Sequence, residues 1–107
     1  MAQIDRKTAS MLSLCQRAGD LVSGEQSVEL ALKNNKAQLI IIAEDASENT
    51  KNKFLGKAEF YKVNVVVYGE KEQLSICIGK YNRTVLAVVD NRSFADRIFQ
   101  LIQASVP

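Results

Sequence analysis

The polar segment at residues 23–27, Ser-Gly-Glu-Gln-Ser, carries the residue types best suited to recognition chemistry in this 107-residue sequence. It precedes a helical pattern and should form the start of a helix. Free backbone N–H groups at a helix start attract phosphate, and amide or carboxylate side chains can hydrogen-bond to base edges. The same residues also suit a capping box, in which Ser23 accepts from the first turn and Gln26 reaches back. The segment fits both interpretations equally well.

Two short basic clusters supply candidate contacts to phosphate. Residues 51–62 hold one acid, Glu59, and four lysines, which are Lys51, Lys53, Lys57 and Lys62. The whole chain has 14 basic and 12 acidic residues, and outside this segment the balance is 10 basic to 11 acidic, so the excess positive charge lies in this segment. The second cluster follows Gly79 and mixes cations with an aromatic ring and an amide in Lys80, Tyr81, Asn82 and Arg83. Each cluster is either a solvated surface or a phosphate-contacting patch.

The carboxylates Glu44 and Asp45 are the strongest candidates for catalysis or metal binding, because they follow a strand that should be buried. Carboxylates at such a point more often cap the following helix. The chain has no histidine, and Cys15 and Cys77 form no metal or redox motif, so both suit inert core positions. No phosphate-binding glycine loop or nucleophile elbow occurs. We therefore expect no catalytic residue, no metal and no cofactor.

The composition is typical of one soluble domain. Apolar residues make up 47% of the chain, and residues 1–107 are enough to bury a core without a disulfide or a metal. No apolar run approaches the roughly 18 residues that a membrane span needs. Residues 1–7 lack the apolar core of a signal peptide. A single cytoplasmic domain is the expectation.

These candidate residues require a scaffold of alternating strands and helices. The uninterrupted apolar run at residues 39–43, with three β-branched isoleucines at its centre, is typical of a strand buried on both faces. Similar patterns predict a short strand at residues 21–22 and two further long strands at residues 63–68 and 84–89. Because a helical pattern separates each strand from the next, we expect an α/β protein with a mainly parallel sheet and helices on both faces.

Polar residues predict where the helices of this scaffold begin. The first helix covers residues 4–18, and the second begins at Ser23. Either Asp45 or Ser47 caps the third helix, and Asp90 caps the last one. The expected buried face of the third helix consists of Phe54, Leu55, Ala58 and Tyr61.

Motifs at a consistent spacing resemble a known family. Residues 24–27 open a helix, residues 40–45 read Ile-Ile-Ile-Ala-Glu-Asp, and Leu74 and Gly79 frame a turn before the last strand. In these features the chain resembles the ribosomal L7Ae/L30e type of kink-turn RNA-binding proteins. The similarity covers about residues 4 to 104.

Within that family, the small bacterial YlxQ-like proteins are the most similar subgroup. They share the Arg-Ala-Gly of residues 17–19 and the Leu-Val-Ser-Gly-Glu of residues 21–25. The resemblance implies a three-layer α/β/α sandwich with a mixed four-stranded sheet.

The resemblance also implies binding to RNA that has a sharp internal bend and sheared G·A pairs. In such proteins the strand-to-helix turn reads the guanines, and the loop after the later glycine packs on a flipped base. The RNA-binding residues carried over to this chain are Ser23, Gly24, Glu25, Gln26, Ser27, Leu30, Lys51, Gly79, Lys80, Tyr81, Asn82 and Arg83.

Different chemistry is expected from different members of this set. Direct contacts would come from the N–H groups of residues 23–24, the Gln26 amide and the Ser27 hydroxyl. Phosphate contacts would come from Lys51, Lys80 and Arg83. The chain departs from the best-studied branch of the family, which has an Asn-Glu pair at Gln26-Ser27 and a lysine at Leu30. A leucine supplies neither a cation nor a hydrogen-bond donor to guanine.

The expected partner is structured RNA, with ribosomal RNA as one candidate. We expect no membrane partner. The alternative is a protein-interaction module on the same scaffold, which would bind a ribosomal or other protein through the strand ends or the third helix. An enzyme that acts on a small ligand at Glu44 and Asp45 is the third and least favoured interpretation.

Overall fold

Helices and strands alternate along residues 4–105, the part of the chain that the structure, a computed structural model, describes. The elements are α1 (Arg6–Arg17), β1 (Leu21–Ser23), α2 (Glu25–Lys33), β2 (Ala37–Ile42), α3 (Glu48–Tyr61), β3 (Asn64–Val67), α4 (Lys71–Cys77), β4 (Val85–Val89) and α5 (Arg92–Ser105). A helix lies between every two successive strands, as the sequence pattern predicts. Within this part of the chain, no helix is both long and apolar enough to cross a membrane.

The four strands form one mixed sheet in the order β1-β4-β2-β3. Strands β2 and β3 pair in parallel, whereas β4 is antiparallel to both of its neighbours. The expected α/β fold with a mixed four-stranded sheet is confirmed. The expectation that most neighbouring strands pair in parallel is wrong. Strands β1, β2 and β3 point the same way, and the one reversed strand lies between two of them. Two of the three ladders are therefore antiparallel.

The central strands are buried because helices cover both faces of the sheet. Every residue of β4 is buried, and so is the Leu39–Ile42 part of β2. Helices α2 and α5 both pack against β2 and β4, α2 with α3 as its neighbour and α5 with α1. Because α2 and α5 cover the same two strands but pack beside different helices, α2 and α3 lie on one face of the sheet and α1 and α5 on the other. The arrangement is the expected α/β/α sandwich.

Ser47 and Asp45 both cap helices, but different ones. The Ser47 Oγ accepts a hydrogen bond from Thr50 N at 3.1 Å, which confirms Ser47 as a cap of α3. The Asp45 carboxylate instead accepts from Lys71 N, the first residue of α4, at 2.8 Å. Asp45 thus caps a helix, but the expectation that it caps the following helix is wrong, since its partner at the start of α4 is 26 residues further on.

The last helix is capped by Asn91 and not by Asp90. Asn91 Oδ1 accepts from Phe94 N at 2.9 Å, and its amide donates to an Asp20 carboxylate oxygen at 2.8 Å. Asp90 has a left-handed backbone with φ of 53°. That conformation turns the chain out of β4 and passes the capping role to the next residue.

Helix α3 buries a narrower face than the sequence predicts. Phe54 and Ala58 are buried, and Tyr61 packs half-buried against the core. Leu55, expected on the same face, is 40% exposed. Successive helical residues differ by about 100° in direction, so Leu55 turns towards solvent when Phe54 points into the core.

Both cysteines are free, and the core interpretation is confirmed for Cys15, which is fully buried. Its Sγ donates to the Asp20 carbonyl oxygen at 3.2 Å. Burial, with the nearby Asp20 charge, raises the pKa of the Cys15 thiol to about 12. Cys77 packs half-buried at the margin of the core, where burial also raises its pKa.

Candidate nucleic-acid interface

Helix α2 begins without a side-chain cap directly after β1. Gly24 is the N-cap, with φ of 92° and ψ of 152°. The first N–H to bond within the helix is that of Val28, which donates to Gly24 O at 3.0 Å. The N–H groups of residues 25–27 therefore have no intrahelical acceptor. The capping box predicted at Ser23 is wrong, because Ser23 is the last residue of β1 and no side chain caps this helix.

Gly24 connects the sheet to this helix. Its N–H donates to Val85 O at 2.9 Å and so continues the pairing of β1 with β4. The expectation that the Gly24 N–H is available for a direct contact is therefore wrong, because this group is occupied within the protein. The N–H groups that lack an intrahelical acceptor at the helix start belong to residues 25–27. The positive φ is one that a residue with a Cβ rarely adopts.

The loop at residues 79–83 lies against the same helix start. Arg83 Nε donates to Ser23 Oγ at 3.0 Å, across 60 positions of sequence. The Arg83 Cδ lies 4.0 Å from the point where a Cβ on Gly24 would stand. The first and second candidate segments of the sequence are therefore in direct contact.

Ser75 holds this loop in place, and sequence reasoning did not single it out. The residue is 3% exposed, its carbonyl accepts from Lys80 N at 2.9 Å, and its Oγ accepts from Arg83 N at 2.9 Å. Gly79 and Asn82 allow the tight turn with φ of 69° and 54°. The sequence contained a signal for this role, because Ser75 lies on the apolar face of the predicted helix and a buried hydroxyl there needs a hydrogen-bond partner.

The side chains around this contact are mostly open to solvent. Tyr81 is 86% exposed and Leu30 is 59% exposed. Lys80, Asn82, Gln26 and Ser27 are exposed as well. We call residues 23–27, Leu30 and residues 79–83 together the α2–loop surface. It combines N–H donors, an amide, hydroxyls, two cations and an aromatic ring.

Lys51 lies beside the α2–loop surface rather than in it. Its neighbour Thr50 donates from Oγ1 to Glu25 Oε2 at 3.0 Å, which ties the start of α3 to the start of α2. The Lys51 ammonium is 3.8 Å from the exposed Glu48 carboxylate, one turn away. The Lys51 side chain is half-buried and the Glu48 side chain is open to solvent, so an ion pair at that distance contributes little stability.

The other lysines of α3 form ion pairs with α2. Lys53 Nζ lies 3.3 Å from Glu25 and 2.8 Å from Glu29, and Lys57 Nζ lies 3.8 Å from Glu29. The hydrogen bond to Glu29 raises the pKa of Lys53, and the hydrogen bond from Lys53 lowers the pKa of Glu29. The sequence allows two interpretations of residues 51–62, a solvated surface or a phosphate-contacting patch. For Lys53 and Lys57 the structure favours the surface, where both ammonium groups pair with glutamates of α2.

The carboxylates considered for catalysis do not form a centre. Asp45 caps α4, while the exposed Glu44 donates its backbone N–H to Gly69 O at 2.7 Å. Among residues 4–105, no group of three or more His, Cys, Asp or Glu side chains could hold a metal ion.

Comparisons with known proteins identify relatives along nearly the whole chain. The model of the ribosomal protein L7Ae/L30e/S12e/Gadd45 family matches residues 6–98. An RNA-binding protein YlxQ from Enterococcus faecium is 36% identical over 92% of this chain and 93% of the relative. An RNA-binding protein YlxQ from Bacillus subtilis is 38% identical over 86% of this chain and 91% of the relative.

Solved structures that resemble this fold include two that align with nearly the whole chain. A protein with unknown function from Bacillus halodurans has a TM-score of 0.87 at 36% identity, covering 92% of this chain and 99% of that chain. The Giardia lamblia 15.5kD RNA binding protein has a TM-score of 0.75 at 17% identity, covering 96% and 93%. The family match and the identities to the YlxQ relatives show that this chain belongs to the ribosomal protein L7Ae/L30e/S12e/Gadd45 family.

Proposed function

We propose that this protein is a non-catalytic RNA-binding protein that recognises structured RNA of the kink-turn type through the α2–loop surface. The two YlxQ relatives are named as RNA-binding proteins, and they align with this chain over nearly their whole length. A binding role, and not an enzymatic one, agrees with the use of the Asp45 carboxylate as a helix cap.

The observation that carries the proposal is the hydrogen bond between Arg83 and Ser23. It sets a loop with cations and an exposed ring beside a helix start with free N–H donors. Donors of this kind suit phosphate, and an aromatic ring suits an unstacked base. Bent RNA offers both groups within a short distance, whereas a regular duplex keeps its bases stacked and its major groove narrow.

Each side chain of the surface has a distinct role in this proposal. The Gln26 amide and the Ser27 hydroxyl read base edges, because both can donate and accept. Lys80 and Arg83 contact phosphate. A guanidinium has five N–H donors and Ser23 takes one of them, so Arg83 can hold the loop and bind RNA together.

The negative charge of Glu25 does not oppose this role. Its two carboxylate oxygens accept from Thr50 Oγ1 at 3.0 Å and from Lys53 Nζ at 3.3 Å. The carboxylate is thus directed to α3 and its charge is compensated there. Lys51, next to Thr50, extends the cationic margin on that side.

The proposed function also specifies the domain, its location in the cell and its RNA partner. We take residues 1–107 as one RNA-binding domain, with residues 1–3 and 106–107 outside the described part. Its place is the cytoplasm, and its partner is RNA of the ribosome or a similarly folded RNA. Sedimentation with ribosomal subunits, lost on ribonuclease treatment, would support that association.

A pair of matched RNA hairpins tests kink-turn recognition. One carries a bulge beside G·A pairs, and the other has the same length, with the bulge nucleotides base-paired and Watson–Crick pairs in place of G·A. Fluorescence anisotropy should give a dissociation constant at least about tenfold lower for the bent RNA, a difference of about 1.4 kcal/mol. Equal affinity for both would overturn the proposal and favour a protein-interaction module.

A further inference from the structure

Helices α1 and α5 concentrate positive charge on the face of the sheet opposite α2. They contain five basic residues, Arg6, Lys7, Arg17, Arg92 and Arg97, and one acid, Asp96. This is a net charge of +4, whereas the whole chain carries +2, so the remainder carries −2. The excess positive charge in residues 51–62 stands, and α1 and α5 carry a second excess on the other side of the sheet.

The cations of α1 and α5 also differ from the lysines of α3 in their ion pairing. The ion pairs found within residues 4–105 all involve Lys51, Lys53 or Lys57. Asp5, just before α1, has its carboxylate bound to the backbone N–H groups of Lys7 and Thr8 at 3.1 and 3.3 Å. The charge on the α1 and α5 face is thus available to an external anion.

A groove runs between these two helices. One cavity of about 320 Å³ is lined by Arg6, Lys7, Ser10, Met11, Arg97 and Leu101. A neighbouring cavity of about 310 Å³ shares Met11 and Arg97 and adds Phe94. Because the two cavities share these residues, they form one surface, which we call the α1–α5 groove.

The α1–α5 groove has an apolar floor and a cationic rim. Met11, Phe94 and Leu101 are half-buried, so each keeps part of an apolar side chain open to solvent. Arg6, Lys7 and Arg97 are exposed around them. A phosphate backbone would use the rim but would gain nothing from the floor. An amphipathic helix with acidic flanks would use both, because its apolar stripe buries the floor while its carboxylates meet the cations.

We propose that the α1–α5 groove is a docking site for an acidic amphipathic helix of a partner protein. Helices α2 and α5 both pack on β2 and β4 from opposite faces. A helix in the groove therefore leaves the α2–loop surface open, and one chain can hold RNA on one face and a protein on the other.

A synthetic helix provides the test on the full-length, isotope-labelled protein. The peptide has about 14 residues, a length of about 21 Å, with leucines at helical spacing along one face and glutamates beside them. The control peptide has the same composition in scrambled order. NMR titration should move the amide signals of Met11, Arg97 and Leu101 with the patterned peptide and leave them nearly unmoved with the scrambled one.

Charge reversal separates the groove from overall charge. The double variant Arg6→Glu and Arg97→Glu should weaken binding of the patterned peptide by about tenfold. The matched variant Lys36→Glu and Lys62→Glu makes the same charge change at exposed positions outside the groove and should leave the affinity unchanged. Thermal unfolding of both variants checks that the fold is intact.

Four results would overturn the inference. They are no shift with either peptide, equal binding of both peptides, equal loss in both double variants, and an oligouridylate that moves the same groove signals at lower concentration than the peptide does. The last result would assign the groove to RNA.

Discussion

Arg83 joins the two halves of the α2–loop surface, because its Nε donates to Ser23 while its Cδ borders Gly24. The sequence identified Arg83 as a cation in a loop and Ser23 as a helix cap. Neither role includes the bond between them, since that bond depends on β1 and β4 being neighbours. Gln26 is the opposite case: its exposure and its position in the first turn of α2 were predictable from local pattern.

Gln26→Ala should reduce the affinity for the bent hairpin and relax discrimination between G·A and Watson–Crick pairs. A bidentate amide contact to a base is worth about 1 to 3 kcal/mol, and alanine removes it without changing charge. Isothermal calorimetry with both hairpins gives the difference. Gln100→Ala is the control, because it removes an exposed amide from α5. Unchanged discrimination in Gln26→Ala would show that this amide does not read bases.

At the scale of elements, the interface depends on how a helix start, a loop and a neighbouring helix are tied together. Ser75 of α4 fixes loop 79–83 through its carbonyl and hydroxyl groups, and Glu25 and Glu29 tie α2 to the lysines of α3. Strand and helix positions followed from apolar periodicity. The attachment of loop 79–83 could not be predicted in this way, because it depends on which buried hydroxyl lies next to which backbone N–H group.

Lys80→Ala should lower RNA affinity and make it less sensitive to salt. Each phosphate contact contributes about 0.7 to 0.9 to the slope of log K against log salt concentration, so losing one should flatten the slope by that amount. The exposed Lys80 side chain can be removed without disturbing the core. Affinities measured at several salt concentrations give the slope, and an unchanged slope would remove Lys80 from the contacts.

Ser23→Ala should show the complementary behaviour. It removes the acceptor of the Arg83 hydrogen bond but keeps every charge, so affinity should fall while the salt slope stays the same. A flattened slope in this variant would mean that Arg83 needs Ser23 to reach phosphate at all.

At the scale of the whole molecule, one core supports two differently charged faces. Fully buried β2 and β4 residues separate α2 and α3, which are joined by ion pairs, from α1 and α5, whose cations form no ion pair within residues 4–105. Cys15 lies within that core and reports on its integrity, since its Sγ is buried between α1 and the chain leading into β1.

Cys15 should react with iodoacetamide at about pH 8 only as fast as the molecule unfolds, because burial raises its pKa to about 12 and leaves almost no thiolate. The pKa in the folded protein lies above the ordinary thiol value of 9.0, so the stabilising contribution of the neutral thiol is complete below about pH 9 and is lost as the pH rises towards about 12. Mass spectrometry of the Cys77→Ser variant follows the single remaining thiol. Rapid labelling without denaturant would contradict the buried placement.

The sequence by itself determined the α/β class, the places of the strands, the family and the segments that carry recognition chemistry, because apolar periodicity and short motifs are local properties. Only the tertiary structure decided the reversed direction of β4, the replacement of a Ser23 cap by the contact with Arg83, and the pairing of Lys53 and Lys57. It also decided where unpaired positive charge remains. The contact with Arg83 depends on β4 taking its place between β1 and β2, and the pairing of the lysines depends on α3 packing beside α2. No local pattern contains that information, because it concerns which distant residues become neighbours.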